Sequence, residues 1–206
     1  DSDRLSAFDL VILDPDAKVD LKPGRQLGSK YLAYLSLVEV HKDAGYLKEL
    51  KEQGITVAAA SQPGETLLAD ITSTGWQTYC IENLASRAAA RGFDGFFLDT
   101  ADSISLLAAA HPGKADIYRD ALVQLVKRLR EKYPDKEIVI NRGFAVLSDL
   151  LGTVDGVLIE SLFQTYDAQA KRYREVGRED SHKLCAWIEK IRAAGLEDLV
   201  EGALQQ

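Results

Sequence analysis

One pattern limits what this chain can fold into: an apolar run of strand length ending in a polar residue, repeated with helical segments between the copies. The clearest copy is Gly92-Phe93-Asp94-Gly95-Phe96-Phe97-Leu98-Asp99-Thr100-Ala101-Asp102. Residues 96–98 are apolar without interruption, as a strand buried on both faces requires, and Asp99 follows them. Further copies are residues 8–13 leading to Asp14, 31–38 leading to Glu39, 67–72 carrying Asp70, 137–140 leading to Asn141 and 156–159 leading to Glu160.

Helical periodicity fills the intervals. Residues 41–53 place Ala44, Leu47 and Leu50 on one side, with Gly54 as a cap. Residues 74–91 carry Trp76, Cys80, Leu84 and Ala88 at four-residue spacing, and Gly92 closes them. Residues 116–133 align Tyr118, Leu122, Leu125 and Leu129 before Pro134 ends the run, and a short helix over 144–151 stops at Gly152. Residues 168–176, 182–194 and 196–206 also read as helical, whereas 55–60 fits a short strand or a loop equally. Residues 100–114, with His111-Pro112-Gly113, form a connection longer than an ordinary βα loop.

Such alternation predicts a parallel sheet flanked by helices. In a (β/α)8 barrel the strand ends converge on one mouth; in a doubly wound open sheet they line a crevice. No Gly-x-Gly-x-x-Gly fingerprint is present, and His111-Pro112-Gly113-Lys114 lacks the first glycine and the Ser/Thr of a P-loop. The expectation is an α/β chain forming a (β/α)8 TIM-type barrel as a single domain over residues 1–206. Only six strands can be counted, so the barrel is expected to be incomplete toward its C-terminus.

Composition narrows the function. At 206 residues the chain can build one sizeable core. A net charge of -7 disfavours nucleic acid, whose binding rests on Lys and Arg, and suits a neutral or cationic partner, although it also serves solubility alone. No run approaches the ~20 apolar residues of a membrane span. Two isolated cysteines and three scattered histidines offer no zinc spacing, so no metal and no cofactor is expected. A Mg2+ site on Asp99 and Asp102 is a lesser alternative. The first residues carry no signal-peptide pattern, as in a mature exported domain or a trimmed one.

Acidic strand ends gathered at a mouth suit glycoside hydrolysis. One carboxyl group protonates the leaving oxygen, and the other attacks the sugar or activates water. Asp99 and Glu160 are the candidate pair. A polar strand terminus is also the structural default, so each site alone says little. Asp102 competes with Asp99 or serves as a cap. Asn141 could bind sugar hydroxyls or tie down a loop. Tyr34, Trp76, Phe163 and Tyr166 could stack on a sugar or lie in the core.

The ordered motifs Phe8-Asp9-Leu10-Val11-Ile12-Leu13-Asp14-Pro15, Tyr34-Leu35-Ser36-Leu37-Val38-Glu39, the stretch from Gly92 to Asp102, Ile140-Asn141-Arg142-Gly143-Phe144 and Glu160-Ser161-Leu162-Phe163 resemble those of endo-alpha-1,4-polygalactosaminidase-like glycoside hydrolases. The resemblance spans about residues 8–165. It implies a (β/α)8 barrel that cleaves internal bonds in an alpha-1,4-linked polymer of galactosamine and N-acetylgalactosamine, an exopolysaccharide of bacterial biofilms. It also implies export to the periplasm or the cell exterior, and a place within a larger multidomain protein. By motif position Asp99 and Glu160 would be catalytic, and Asp14, Tyr34, Glu39, Asp70, Asp102, Asn141 and Phe163 would line the cleft. The family's seventh and eighth strands are not recognisable in the C-terminal third. A non-catalytic carbohydrate-binding barrel is the main rival reading, and a barrel enzyme for a small phosphorylated substrate is the weaker one. A partly deacetylated polymer is cationic, so an acidic mouth would attract it.

Overall fold

A computed structural model of the protein describes residues 2–59, 66–167 and 170–200. The chain begins with a helical turn, α1 (Ser2–Leu5), strand β1 (Leu10–Leu13), helix α2 (Lys22–Gln26) and strand β2 (Lys30–Ser36). It continues through β3 (Glu39–His41), α3 (Leu47–Glu52), β4 (Val57–Ala59) and β5 (Thr66–Ala69). Helices α4 (Thr74–Tyr79) and α5 (Ser86–Ala90) are joined without a break by a π-helical segment, Cys80–Ala85. Then come β6 (Gly95–Asp99), a 3-10 turn (Ala101–Ser103), α6 (Ile104–Ala110), α7 (Ala115–Lys132), β7 (Glu137–Asn141), α8 (Leu147–Leu150) and β8 (Gly156–Ile159). The last part holds β9 (Gln164–Asp167), β10 (Arg172–Glu175), α9 (Arg178–Ala193) and β11 (Glu197–Val200).

Six strands form one parallel sheet in the order β1-β2-β6-β7-β8-β11. Alternation along the strands sorts their side chains into two layers. Phe96, Leu98, Ile138 and Ile140 face outward and are fully buried beneath the helices, which contribute Trp76, Tyr79, Leu122, Leu125 and Leu129 to one continuous core. Leu32, Phe97 and Val139 face the other way and form a separate small cluster with Leu10, Ile12, Tyr34 and Leu158. This second cluster is the concave side of a curled half-barrel and becomes the floor of the site described below.

A full (β/α)8 barrel is not what the described residues form. β5, the strand leading to Asp70, lies outside the parallel sheet and pairs antiparallel with β3 and β4. Local hydrogen bonding accounts for this. Beyond β2 the chain stays bonded to the end of β6 through Leu37 N–H to the Asp99 carbonyl (3.0 Å), which occupies the edge an inserted β5 would need. β5 attaches instead through Ala69 N–H to the Val38 carbonyl (2.9 Å).

Other expectations shift as well. Residues 100–114 are not an open loop but the 3-10 turn and α6, anchored by buried Ile104 and Leu107. The helix expected over 168–176 is an antiparallel hairpin in its described part, with residues 168 and 169 outside it. Tyr173 faces Tyr166 and Arg172 faces Asp167 across the strands, pairs that favour a ladder over a helix. The helix expected over 196–206 begins instead as β11, which satisfies its backbone by pairing with β8; residues 201–206 lie outside the described residues. Residues 57–59 of the ambiguous stretch form β4, and Ala60 lies outside the described residues. The helix predicted over 41–53 shrinks to α3 because His41 belongs to β3. Gly54 and Gly92 close their helices at φ 70° and 91°, where glycine is at ease. Cys80 is buried, Cys185 is exposed, and both are free thiols.

Candidate active site

The candidate residues stand at the C-terminal ends of neighbouring strands, and strand alternation aims them. Ile12, Leu32, Phe97, Val139 and Leu158 belong to the concave floor. Two residues further along each strand come Asp14, Tyr34, Asp99, Asn141 and Glu160, so all five project from the floor side. The backbone turns sharply just beyond three of them. Thr100, Arg142 and Ser161 have φ of 62°, 55° and 58°. Left-handed backbone at non-glycine residues costs energy and is characteristic of functional sites. Each of these three ends a strand immediately after a candidate residue, while a fourth, Lys171 at φ 50°, lies in the turn between β9 and β10.

Asn141 joins the two carboxylates. Its Nδ2 donates to Asp99 Oδ1 at 2.8 Å and to Glu160 Oε1 at 2.6 Å. These two legs hold the bonded oxygens no more than roughly 5.4 Å apart. Asn141 is only 7% exposed, and its Oδ1 is buried without a hydrogen-bond partner. Tyr34 donates its hydroxyl to Asp99 Oδ2 at 2.5 Å. Burial first, then that hydrogen bond and the charges of Asp99, Glu39 and Glu160, push the Tyr34 hydroxyl well above the ordinary tyrosine range. Tyr34 therefore keeps its proton and acts as a donor.

Glu39 accepts from Ser103 Oγ at 2.5 Å, which positions its carboxylate beside the cluster. Thr100 Oγ1 lies 2.9 Å from Ser36 Oγ and accepts from Val38 N–H at 3.0 Å, fixing the turn after Asp99 to the end of β2. Asp102 is raised, mainly by burial, against the opposing pull of Arg142 and the Gly143 N–H. Its Oδ2 lies 3.1 Å from Arg142 Nε as an ion pair without directed hydrogen-bond geometry, and Asp102 is thereby turned toward a cation rather than toward Asp99.

Asp14 lines a cavity of about 610 Å3 beside the cluster, shared with Tyr34, Glu39 and Tyr46. Asp70 does not join the group: its carboxylate is spent on Thr72, accepting from the backbone N–H at 3.0 Å and the hydroxyl at 2.6 Å. Phe163 is 63% exposed beyond the end of β8. Trp76 is buried and donates its indole N–H to the Leu37 carbonyl, which makes it a core residue. Reading strand ends alone missed Ser36, Thr100, Ser103 and Arg142. The hydroxyls of Ser36, Thr100 and Ser103 do flank the carboxylates in sequence, a signal that a search for acids passes over. Among the described residues no group of three or more His, Cys, Asp or Glu could hold a metal ion.

Glycoside-hydrolase family GH114 matches residues 1–185. The glycoside hydrolase domain of PelA from Pseudomonas aeruginosa is 30% identical, with a TM-score of 0.81 over 95% of this chain and 77% of that one. Ega3 of Aspergillus fumigatus, solved in complex with galactosamine, shares the fold at 13% identity and a TM-score of 0.69, over 93% of this chain and 68% of that one. An alpha-galactosidase from Thermus thermophilus is similar in fold at 18% identity and a TM-score of 0.54, over 82% of this chain and 39% of that one. No curated protein sequence matches significantly. With that family matched over most of its length, and with the PelA domain 30% identical over nearly all of it, the chain is a glycoside hydrolase and belongs to family GH114.

Proposed function

We propose that the protein is a retaining, endo-acting hydrolase of alpha-1,4-linked galactosamine and N-acetylgalactosamine polymers, with Asp99 and Glu160 as the reacting pair. The observation that carries this is the single Asn141 amide bonded to both carboxylates. Carboxylate oxygens held this close favour direct attack by one of them over the arrangement of an inverting enzyme, which keeps a water between its general base and the sugar.

Both oxygens of Asp99 are met by donors, one from Tyr34 and one from Asn141, which suits a nucleophile. Asp99 attacks the anomeric carbon while Glu160 gives its proton to the departing glycosidic oxygen. The bond to the leaving sugar breaks and a glycosyl ester to Asp99 forms. Glu160 then takes a proton from water, whose oxygen attacks the same carbon, releasing the sugar and restoring both groups. Tyr34 and Asn141 hold Asp99 in place and take no proton.

Galactosamine as the sugar rests on the family and on the galactosamine complex of Ega3. The curled half-barrel supporting the site is read as one hydrolase unit over residues 1–206, exported and carried within a larger protein. These points follow the family resemblance. The test is digestion of defined galactosamine/N-acetylgalactosamine oligomers, with product masses and the anomer of the first product read directly. Internal cleavage with retained configuration, abolished in Glu160→Gln with the fold preserved, is the expected result. Polymer binding without any new reducing ends would replace this reading with a carbohydrate-binding barrel.

A further inference from the structure

The reacting pair stands at the ends of β6 and β8, with β7 between them, and the two sides of the mouth differ in chemistry. On the β1–β2 side is the cavity of about 610 Å3, lined by Asp14, Asp16, Glu39 and Asp43. Among the described residues Asp14, Asp16 and Glu39 form no ion pair, and Arg87, which shares the lining, is held by Glu49 at 2.8 Å, so carboxylates predominate on this side. On the β7–β8 side a second cavity, of about 390 Å3, lies between the turns after those strands, the β9–β10 hairpin and α9. Its walls include Arg142, Ser161, Arg174 and the stacked pair Phe144 and Trp187, whose ring centroids are 4.9 Å apart. Its one carboxylate, Asp180, lies 3.5 Å from Lys183, whereas Arg174 has no ion pair among the described residues.

Arg142 and Ser161 directly follow Asn141 and Glu160, and Tyr34 and Thr100 line the acidic cavity. The two cavities therefore flank the cluster of Asp99, Asn141 and Glu160. Within that cluster the buried, unpartnered Oδ1 of Asn141 is an acceptor suited to a hydroxyl or amine of a bound sugar.

We propose that this mouth reads the acetylation pattern of its polymer, holding an ammonium-bearing sugar on the β1–β2 side of the reacting pair and an uncharged N-acetylated sugar on the β7–β8 side. An ammonium group gains from the unpaired carboxylates on the first side. On the second it would meet a lining in which Arg142, Arg174 and Lys183 face one carboxylate, Asp180. An acetamido group carries no charge and brings a methyl group and a planar amide that suit the Phe144–Trp187 surface. The inference rests on the glycosidase reading for its substrate class and adds direction to it.

The experiment uses three alpha-1,4-galactosamine polymers: fully deacetylated, fully N-acetylated and half-acetylated. The wild-type protein is assayed for cleavage, and Glu160→Gln for binding. The half-acetylated polymer is expected to be cleaved and bound on the order of tenfold better than either uniform polymer. The two new chain ends should also be sorted, one enriched in free amine and the other in acetyl. Arg174→Glu should selectively improve binding and cleavage of the fully deacetylated polymer. Equal binding of all three polymers by Glu160→Gln, or unsorted product ends from the wild type, overturns the proposal and leaves the glycosidase reading standing. If the wild type cleaves none of them, the glycosidase reading fails, and the order of binding still decides whether the two sides discriminate.

Discussion

Tyr34 and Asn141 share the task of holding Asp99, one donor on each oxygen, and only Asn141 also reaches Glu160. Their losses should therefore differ. A hydrogen bond to a charged group is worth about 1.5–3 kcal/mol, so Tyr34→Phe, which keeps the ring, should lower kcat by about 10- to 150-fold with little change in KM. Asn141→Ala frees both carboxylates and should cost more. Steady-state kinetics on a defined oligomer compare the two, and an unchanged kcat in Tyr34→Phe would remove the hydroxyl from the mechanism. Tyr46, at the edge of the acidic cavity, gives a stability test. Burial first, then Cys80 and Asp14, push its hydroxyl from 10.0 up to about 12. Because the folded value is the higher one, the stabilisation is fully present below about pH 10 and is lost as pH rises through about 12. Unfolding midpoints across that range should fall less steeply in Tyr46→Phe than in the parent.

At the scale of elements, β6 is the strand on which the site depends, since it pairs with β2 on one side and β7 on the other and carries Asp99 at its end. Gly95 begins it with no space for a side chain: a Cβ there would lie 2.1 Å from the Glu137 carbonyl oxygen. Backbone cannot yield as a flexible side chain can, so Gly95→Ala should destabilise the fold by about 1–3 kcal/mol or more and weaken the β6–β7 ladder. Calorimetry measures the loss, and an unchanged midpoint would show that the ladder tolerates the displacement. β6 was legible in the sequence because residues 96–98 are apolar throughout. The β9–β10 hairpin was not, because its stability comes from Tyr166 meeting Tyr173 across the turn, a contact between residues whose own spacing also fits a helix.

Across the whole molecule, charge and sheet closure are the relevant properties. With a net charge of -7 and unpaired carboxylates at one side of the mouth, affinity for a partly deacetylated polymer should fall as salt rises, because screening shortens to ~10 Å at 0.1 M. Binding that stays flat from low to high ionic strength would count against charge steering. β11 covers the edge of β8, the strand that positions Glu160. Ending the chain after Gly195 should expose that edge, lower the unfolding midpoint and reduce activity more than binding. A truncated protein with full activity would show that β8 holds its register without a neighbour.

The residues themselves determined five of the six parallel strands, β1, β2, β6, β7 and β8, and the polar group that follows or ends each of them, because alternation and periodicity are local properties, whereas β11 read as a helix. They also marked the carboxylates as candidates. The tertiary structure decided which of those groups meet. Asp70 lies at a strand end like Asp99, yet β5 leaves the parallel sheet because the chain beyond β2 has already bonded to the end of β6. Asn141 between Asp99 and Glu160, and Arg142 drawing Asp102 aside, depend on distances between strands remote in sequence. A strand pattern specifies which way a side chain points, but the partner it finds there is set by sheet order and register, which are properties of the folded chain.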